Sequence, residues 1–250
     1  MKTLFQNIIM SFIALIVVLL VCEGVFRIYY SSKGIKTVQI DDLLGWDVVH
    51  NLQTTYQTVD FKAKPYDCTY TIDKNGFRKF GNLQSNKPRV FFVGDSFTQA
   101  EDASNDSTYF SIIAQRANIE VFAYGVGGFG SVQEMMVLQN YINQIQPNLV
   151  VIQFTSNDFI NNCYDLEFRS IQNNNMTRPY LNGNNKIEYR FAKDYPDLRT
   201  FANKHSRFLY FVFTRLDRVF PNTATFKKSD YQESLVLTKI ILICPSATCS

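Results

Sequence analysis

The sequence predicts an α/β fold with a parallel sheet flanked by helices, and three observations carry that prediction. Apolar runs of strand length occur at Arg89–Gly94, Glu120–Tyr124 and Leu149–Thr155. Segments with helical periodicity, Thr108–Ala117 and Ser131–Ile145, lie between them. Each run ends in a turn of small or polar residues. Buried strands alternating with helices imply parallel pairing, since parallel neighbours need a crossover connection. Right-handed crossovers on both sides place Arg89–Gly94 between the other two strands.

Composition bounds what such a chain does. The 250 residues are 46% apolar, enough for one α/β domain of ordinary size and an N-terminal segment. The formal charge of +3 is spread along the chain with no basic run, which argues against a nucleic-acid partner. Five cysteines without a Cys-x-x-Cys pair, and only two histidines, argue against a metal site, and nothing points to a cofactor. Cys68 and Cys163 read as separate buried thiols, with a disulfide as the alternative in an oxidising compartment.

Taken in order, residues 1–30 form the first segment. The nineteen residues Ile8–Phe26 are apolar but for Ser11, Glu23 and the small Gly24, and as a helix they span about 28 Å, close to the ~30 Å of a bilayer core. Glu23 and Arg27 are four apart and suited to pair, and Tyr29 and Tyr30 suit the membrane interface. A single-pass anchor is the preferred reading. A cleaved signal peptide is the alternative, with Cys22-Glu23-Gly24 a poor cleavage site. Residues 31–85 carry short alternating runs broken by Lys64-Pro65 and Asn75-Gly76, a lead-in of strands and turns in which Trp46 and Phe77 are packing residues.

Residues 86–250 hold the sheet and the segments C-terminal to it. Ser131, with Glu134 three residues on, reads as the N-cap of a capping box. Asparagine clusters at 161–162, 173–175 and 182–185 predict long loops. Helices are expected over Leu198–Val219 and Tyr231–Ile243, and the last residues, Cys244–Ser250, form no element.

Three motifs sit at the strand ends, where open α/β sheets bind ligands. They are Gly94-Asp95-Ser96-Phe97, Gly125-Val126-Gly127-Gly128-Phe129-Gly130 and Ser156-Asn157-Asp158. Asp95 and Asp158 read as turn supports that accept backbone N–H bonds. In this order the motifs resemble the serine, glycine and asparagine blocks of the SGNH (GDSL-type) hydrolases, of the membrane-anchored bacterial kind. The resemblance implies an SGNH/flavodoxin-like sheet, Ser96 as nucleophile, and an oxyanion hole from Ser96, Gly128 and Asn157. It further implies an ester substrate, small or an acylated glycan, and a domain on the extracytoplasmic side of the membrane. Arg27, Lys33 and Lys36 after the apolar run favour the opposite side by charge alone.

The resemblance also implies an Asp-x-x-His block after the last strand, and none is there. Asp47-Val48-Val49-His50 has the spacing but precedes Ser96, and His205 has Ala202 where an acid is required. The general base is therefore unknown. The expectation is a chain truncated before the last strands, with low activity and an open edge on Leu149–Thr155. The alternative is a non-catalytic envelope protein that binds glycan or docks a partner in the same cleft.

Overall fold

The structure is a computed structural model and describes residues 2–31, 36–60, 62–170, 176–184, 186–219 and 239–243. They fall into two compact units, 1–36 with 193–224 and 37–192 with 225–250. Helix α1, Lys2–Ser31, opens the smaller unit. Its stretch Leu4–Ser31 contains an 18-residue window of mean hydropathy 2.8, none of it buried, so it is long and apolar enough to cross a membrane.

The larger unit begins with two antiparallel hairpins, β1 (Val38–Asp41) with β2 (Gly45–Val48) and β3 (Leu52–Val59) with β4 (Pro65–Ile72). The sheet is built next from β5 (Arg89–Gly94), α2 (Ser96–Gln99), α3 (Tyr109–Ala117), β6 (Glu120–Gly125), α4 (Ser131–Ile145) and β7 (Leu149–Phe154). Strand β5 pairs in parallel with both neighbours, Val93 opposite Tyr124 on one side and Ile152 on the other. That is the order the crossover rule requires. Four consecutive apolar residues, Val90 to Val93, are buried because both faces of the strand are covered. Phe91, Val93, Phe122 and Tyr124 share one core cluster with Val137, Leu138 and Ile145 of α4. Val90, Phe92, Val121 and Ala123 share the other with Phe110 of α3.

The lead-in packs on the first of these clusters, with Trp46 and Phe77 each 1% exposed. Phe77 meets Tyr124 and Tyr141 edge-on, at 5.0 and 4.8 Å between ring centroids. Cys68 and Cys163 are free thiols.

The polar stretch after residue 157 holds more structure than expected. It contains α5 (Asp158–Asn161), α6 (Tyr164–Arg169) and an antiparallel hairpin of β8 (Thr177–Leu181) and β9 (Ile187–Phe191). The expected loop at 182–185 is the turn of that hairpin, where Asn182 Oδ1 accepts the N–H groups of Asn184 and Lys186 at 3.0 Å. The cluster 173–175 lies outside the described residues.

Two expectations about the end of the chain are corrected. Lys239–Ile243 is a strand, β10, where a helix was expected; residues 231–238 and 244–250 lie outside the described residues. A five-residue apolar run carries no period by which to tell strand from helix. Strand β10 runs antiparallel along β7, Ile241 opposite Ile152, so the sheet order is β10-β7-β5-β6 and the edge expected to be open is covered.

The smaller unit resumes with α7 (Pro196–His205) and α8 (Arg207–Val219), two helices where one was expected. The break falls at Ser206, whose backbone is extended at φ −132° and ψ 111°. Glu23 of α1 accepts from Arg207 N and Phe208 N at 3.1 Å and from Ser206 Oγ at 2.8 Å, capping the new helix. Arg27 donates to the same carboxylate at 2.7 Å, as the i, i+4 spacing predicts.

Candidate active site

Ser96 is the first residue of α2, a single helical turn beginning where β5 ends. Its side chain is exposed, and its Oγ makes no hydrogen bond among the described residues. As an N-terminal helical residue its N–H has no acceptor within the helix. Asp95 before it is fully buried and acts as the N-cap, Oδ1 accepting from Phe97 N at 3.1 Å. Its other oxygen accepts from Thr155 Oγ1 at 2.8 Å and from Asn157 Nδ2 at 3.1 Å. The serine and asparagine loops are thus joined through one carboxylate.

The glycine loop is joined to both. Gln99 Oε1 accepts from Gly127 N at 2.6 Å, and a Cβ placed on Gly127 would lie 3.9 Å from that of Ser96. Asn161 Nδ2 donates to the carbonyls of Gly128 and Phe129 at 3.2 and 3.0 Å, and Asn162 Oδ1 accepts from Ser131 N at 2.8 Å. Gly128 has φ +79°, a conformation that a side chain resists, and no backbone hydrogen bond among the described residues takes its N–H. Each pair of motif loops is therefore tied by side-chain hydrogen bonds at one end of the sheet.

Gly125 is demanded by close approach. A Cβ there would meet Gln99 N at 2.3 Å and Thr98 C at 2.5 Å, both backbone atoms of α2. Gly125→Ala is expected to push α2 off the sheet and to cost about 2–3 kcal/mol, checked by urea unfolding. An unchanged midpoint would mean that the turn yields to a methyl group at no cost.

Support comes from the lead-in as well. Arg78 is 4% exposed, donates from Nε to Gln99 O at 3.1 Å, and stacks over Tyr70 at 4.4 Å. It also donates to Ala103 O and to Asn105, holding the loop that comes after α2. Trp46 Nε1 donates to Gly127 O at 3.1 Å. Sequence reasoning placed Trp46 as packing but missed this bond, and missed Gln99 and Arg78 altogether. Asn75-Gly76-Phe77-Arg78 offered a signal for Arg78; nothing local marked Gln99.

Three carboxyl groups lie beneath the loops. Asp158 is fully buried, with Oδ2 accepting from Thr155 N at 2.6 Å and Oδ1 unpartnered among the described residues. Burial pushes its carboxyl up to about 7, Asp95 adding to the rise and the Thr155 N–H opposing it. Glu134 is 1% exposed, and neither oxygen has a hydrogen-bond partner among the described residues. Burial, then the charges of Asp158 and Asp95, push it up to about 9. The capping box expected of Ser131 and Glu134 does not form. Gly130 is the N-cap, and Gln133 Oε1 accepts its N–H at 3.1 Å. Glu134 faces inward instead.

His50, the histidine of the larger unit, is not bonded to Ser96. His50 Nε2 lies 2.8 Å from Asp47 Oδ2, which also accepts from Tyr124 OH at 2.7 Å. Asp47 is buried at 3% exposure, and the trio forms a polar tie between lead-in and sheet. His205 is exposed in the smaller unit, its ring 5.0 Å from that of Phe201.

Residues 90–212 match the family model of the GDSL-like lipases and acylhydrolases. The chain carries a GDSL-type (SGNH) hydrolase domain. Such a domain is that of a hydrolase of ester substrates. No curated protein matches the chain. One position of this GDSL-type domain departs from the usual third block, which has glycine where Thr155 stands. Its hydroxyl lies within hydrogen-bond reach of both Asp95 Oδ2, at 2.8 Å, and Asn157 Oδ1, at 2.7 Å, and its single proton serves one of them at a time.

Proposed function

We propose that the chain is a membrane-anchored serine esterase acting on ester-linked substrates of the carbohydrate O-acyl class, with Ser96 as nucleophile. The observation that carries this reading is the pairwise locking of the three motif loops around an exposed Ser96. Ser96 Oγ attacks the acyl carbon, and the oxyanion forms against Ser96 N–H, Gly128 N–H and the Asn157 N–H that Asp95 does not use. Asp95 and Asp158 hold the loops. The Ser96 hydroxyl proton passes to the sugar oxygen as the ester C–O bond breaks, so the sugar leaves as an alcohol; water then attacks the acyl carbon, returns a proton to Ser96 Oγ and releases the acyl group as its acid.

With no imidazole of the larger unit bonded to it among the described residues, Ser96 keeps the high pKa of an ordinary alcohol, so turnover is slow. That same observation favours a second reading, a glycan-binding protein that holds acylated substrate in the cleft without cleaving it. Helix α1 supports anchoring by its length and hydropathy. An extracytoplasmic domain is proposed from the likeness to envelope SGNH proteins.

A serine-directed phosphonate discriminates the readings. Slow labelling confined to Ser96, absent in Ser96→Ala, together with ester hydrolysis about tenfold or more above the variant, is the expected result. Binding of an acylated oligosaccharide with equal, background hydrolysis by both chains would leave the binding role. Rapid labelling would refute the claim of an unassisted serine, and His50→Ala and His205→Ala would then name the base.

A further inference from the structure

The smaller unit contains a cavity of about 450 Å³ lined by Arg27, Tyr30, Ser31, Lys36, Lys204, His205 and Arg207. Among the described residues no carboxylate lines it. Among the described residues Lys36, Lys204 and the Arg207 side chain have no acidic partner, whereas Arg27 shares Glu23. Every polar side chain facing the space is a cation, a hydroxyl or an imidazole, a set that donates hydrogen bonds to an anion.

The position of this cavity along α1 says which anion. The nineteen-residue apolar stretch, Ile8–Phe26, matches the hydrocarbon thickness, so Arg27 is the first residue beyond it. Tyr30 and Ser31 come on the next turn, at the depth of lipid phosphates. This depth is held by packing, because Phe26 lies 5.7 and 4.4 Å from Phe208 and Phe211 of α8, and Tyr30 lies 5.9 Å from Tyr210. The Glu23 cap fixes the same junction.

We infer that this cavity binds the phosphate of an anionic phospholipid headgroup from the bilayer that α1 crosses. The inference rests on the anchoring part of the proposed function. It also gives the basic residues after α1 a role other than setting the side on which the domain lies.

The test is native mass spectrometry of the full chain released from micelles holding equal amounts of phosphatidylglycerol and phosphatidylcholine. A retained phosphatidylglycerol, at tenfold or more over phosphatidylcholine, is expected. Lys204→Ala and Arg207→Ala should each lower that retention about fivefold, the equivalent of about 1 kcal/mol per charge. Lys36→Ala, which lies outside every helix, should do the same if either of the others fails to fold. Equal retention of the two lipids, indifference to all three substitutions, or displacement by inorganic phosphate at the lipid's own concentration would each overturn the assignment. Carbonate extraction of membranes tests the anchor separately. Release of the chain would remove the anchor, while the adduct ratio in micelles would still decide the cavity.

Discussion

Replacing Asp95 with alanine is expected to destabilise the larger unit by about 3–5 kcal/mol and to end any reaction at Ser96. The side chain is fully buried and accepts from Phe97 N, Thr155 Oγ1 and Asn157 Nδ2, so truncation removes the acceptor of all three donors. Each donor left dry and unpaired costs about 1–3 kcal/mol. Water reaches the half-buried Phe97 and Asn157 donors, and Thr155 Oγ1 keeps Asn157 Oδ1 within 2.7 Å, which is why the expected loss is below the total. Urea unfolding monitored through Trp46, the single tryptophan, reads the larger unit directly. Asp95→Asn keeps the shape and one acceptor, should lose less, and should lower the carboxyls of Glu134 and Asp158 only in part, since burial is the larger cause of both shifts. An Asp95→Ala chain with an unchanged midpoint would show that the three loops are held by something else.

Glu134→Gln is expected to remove a large pH dependence of stability. In the folded chain the carboxyl titrates near 9, well above its ordinary 4.5. Between those values the folded state keeps a proton that the unfolded chain has released. Stability therefore falls as pH rises, by about 1.4 kcal/mol per pH unit, from its full value below 4.5 until the loss is complete above 9. Over the interval from about pH 5 to pH 8 the wild type should lose roughly 4 kcal/mol relative to the glutamine variant, other groups cancelling in the comparison. Parallel stability curves for the two chains would mean that Glu134 is solvated or paired.

How much of the fold and site is legible in the sequence depends on where the information sits. Strands β5, β6 and β7 and helix α4 are readable because Val90–Val93 and its neighbours are apolar without a break, a local fact. The order of the serine, glycine and asparagine turns is local too. The inward face of Glu134 is not, since Ser131 and Glu134 spell a capping box, and only the sheet's position turns that face inward. Helices α7 and α8 carry one continuous pattern, and the break at Ser206 depends on a carboxylate from residue 23. Gln99 and Arg78 act through partners 21 to 28 positions away, a separation that no periodicity records.

The bond from Trp46 to Gly127, and the stacking of Arg178 over the same indole at 4.6 Å, set a schedule for the growing polypeptide. Trp46, with Leu44 and Val48 beside it, leaves the ribosome more than a hundred residues ahead of Arg178. At roughly 5–20 residues per second, that leaves an apolar segment without its partners for about 7–26 seconds. The lead-in is translated before the sheet but finishes folding late, so a holdase that shields this segment should raise the soluble yield more than one acting on the completed chain.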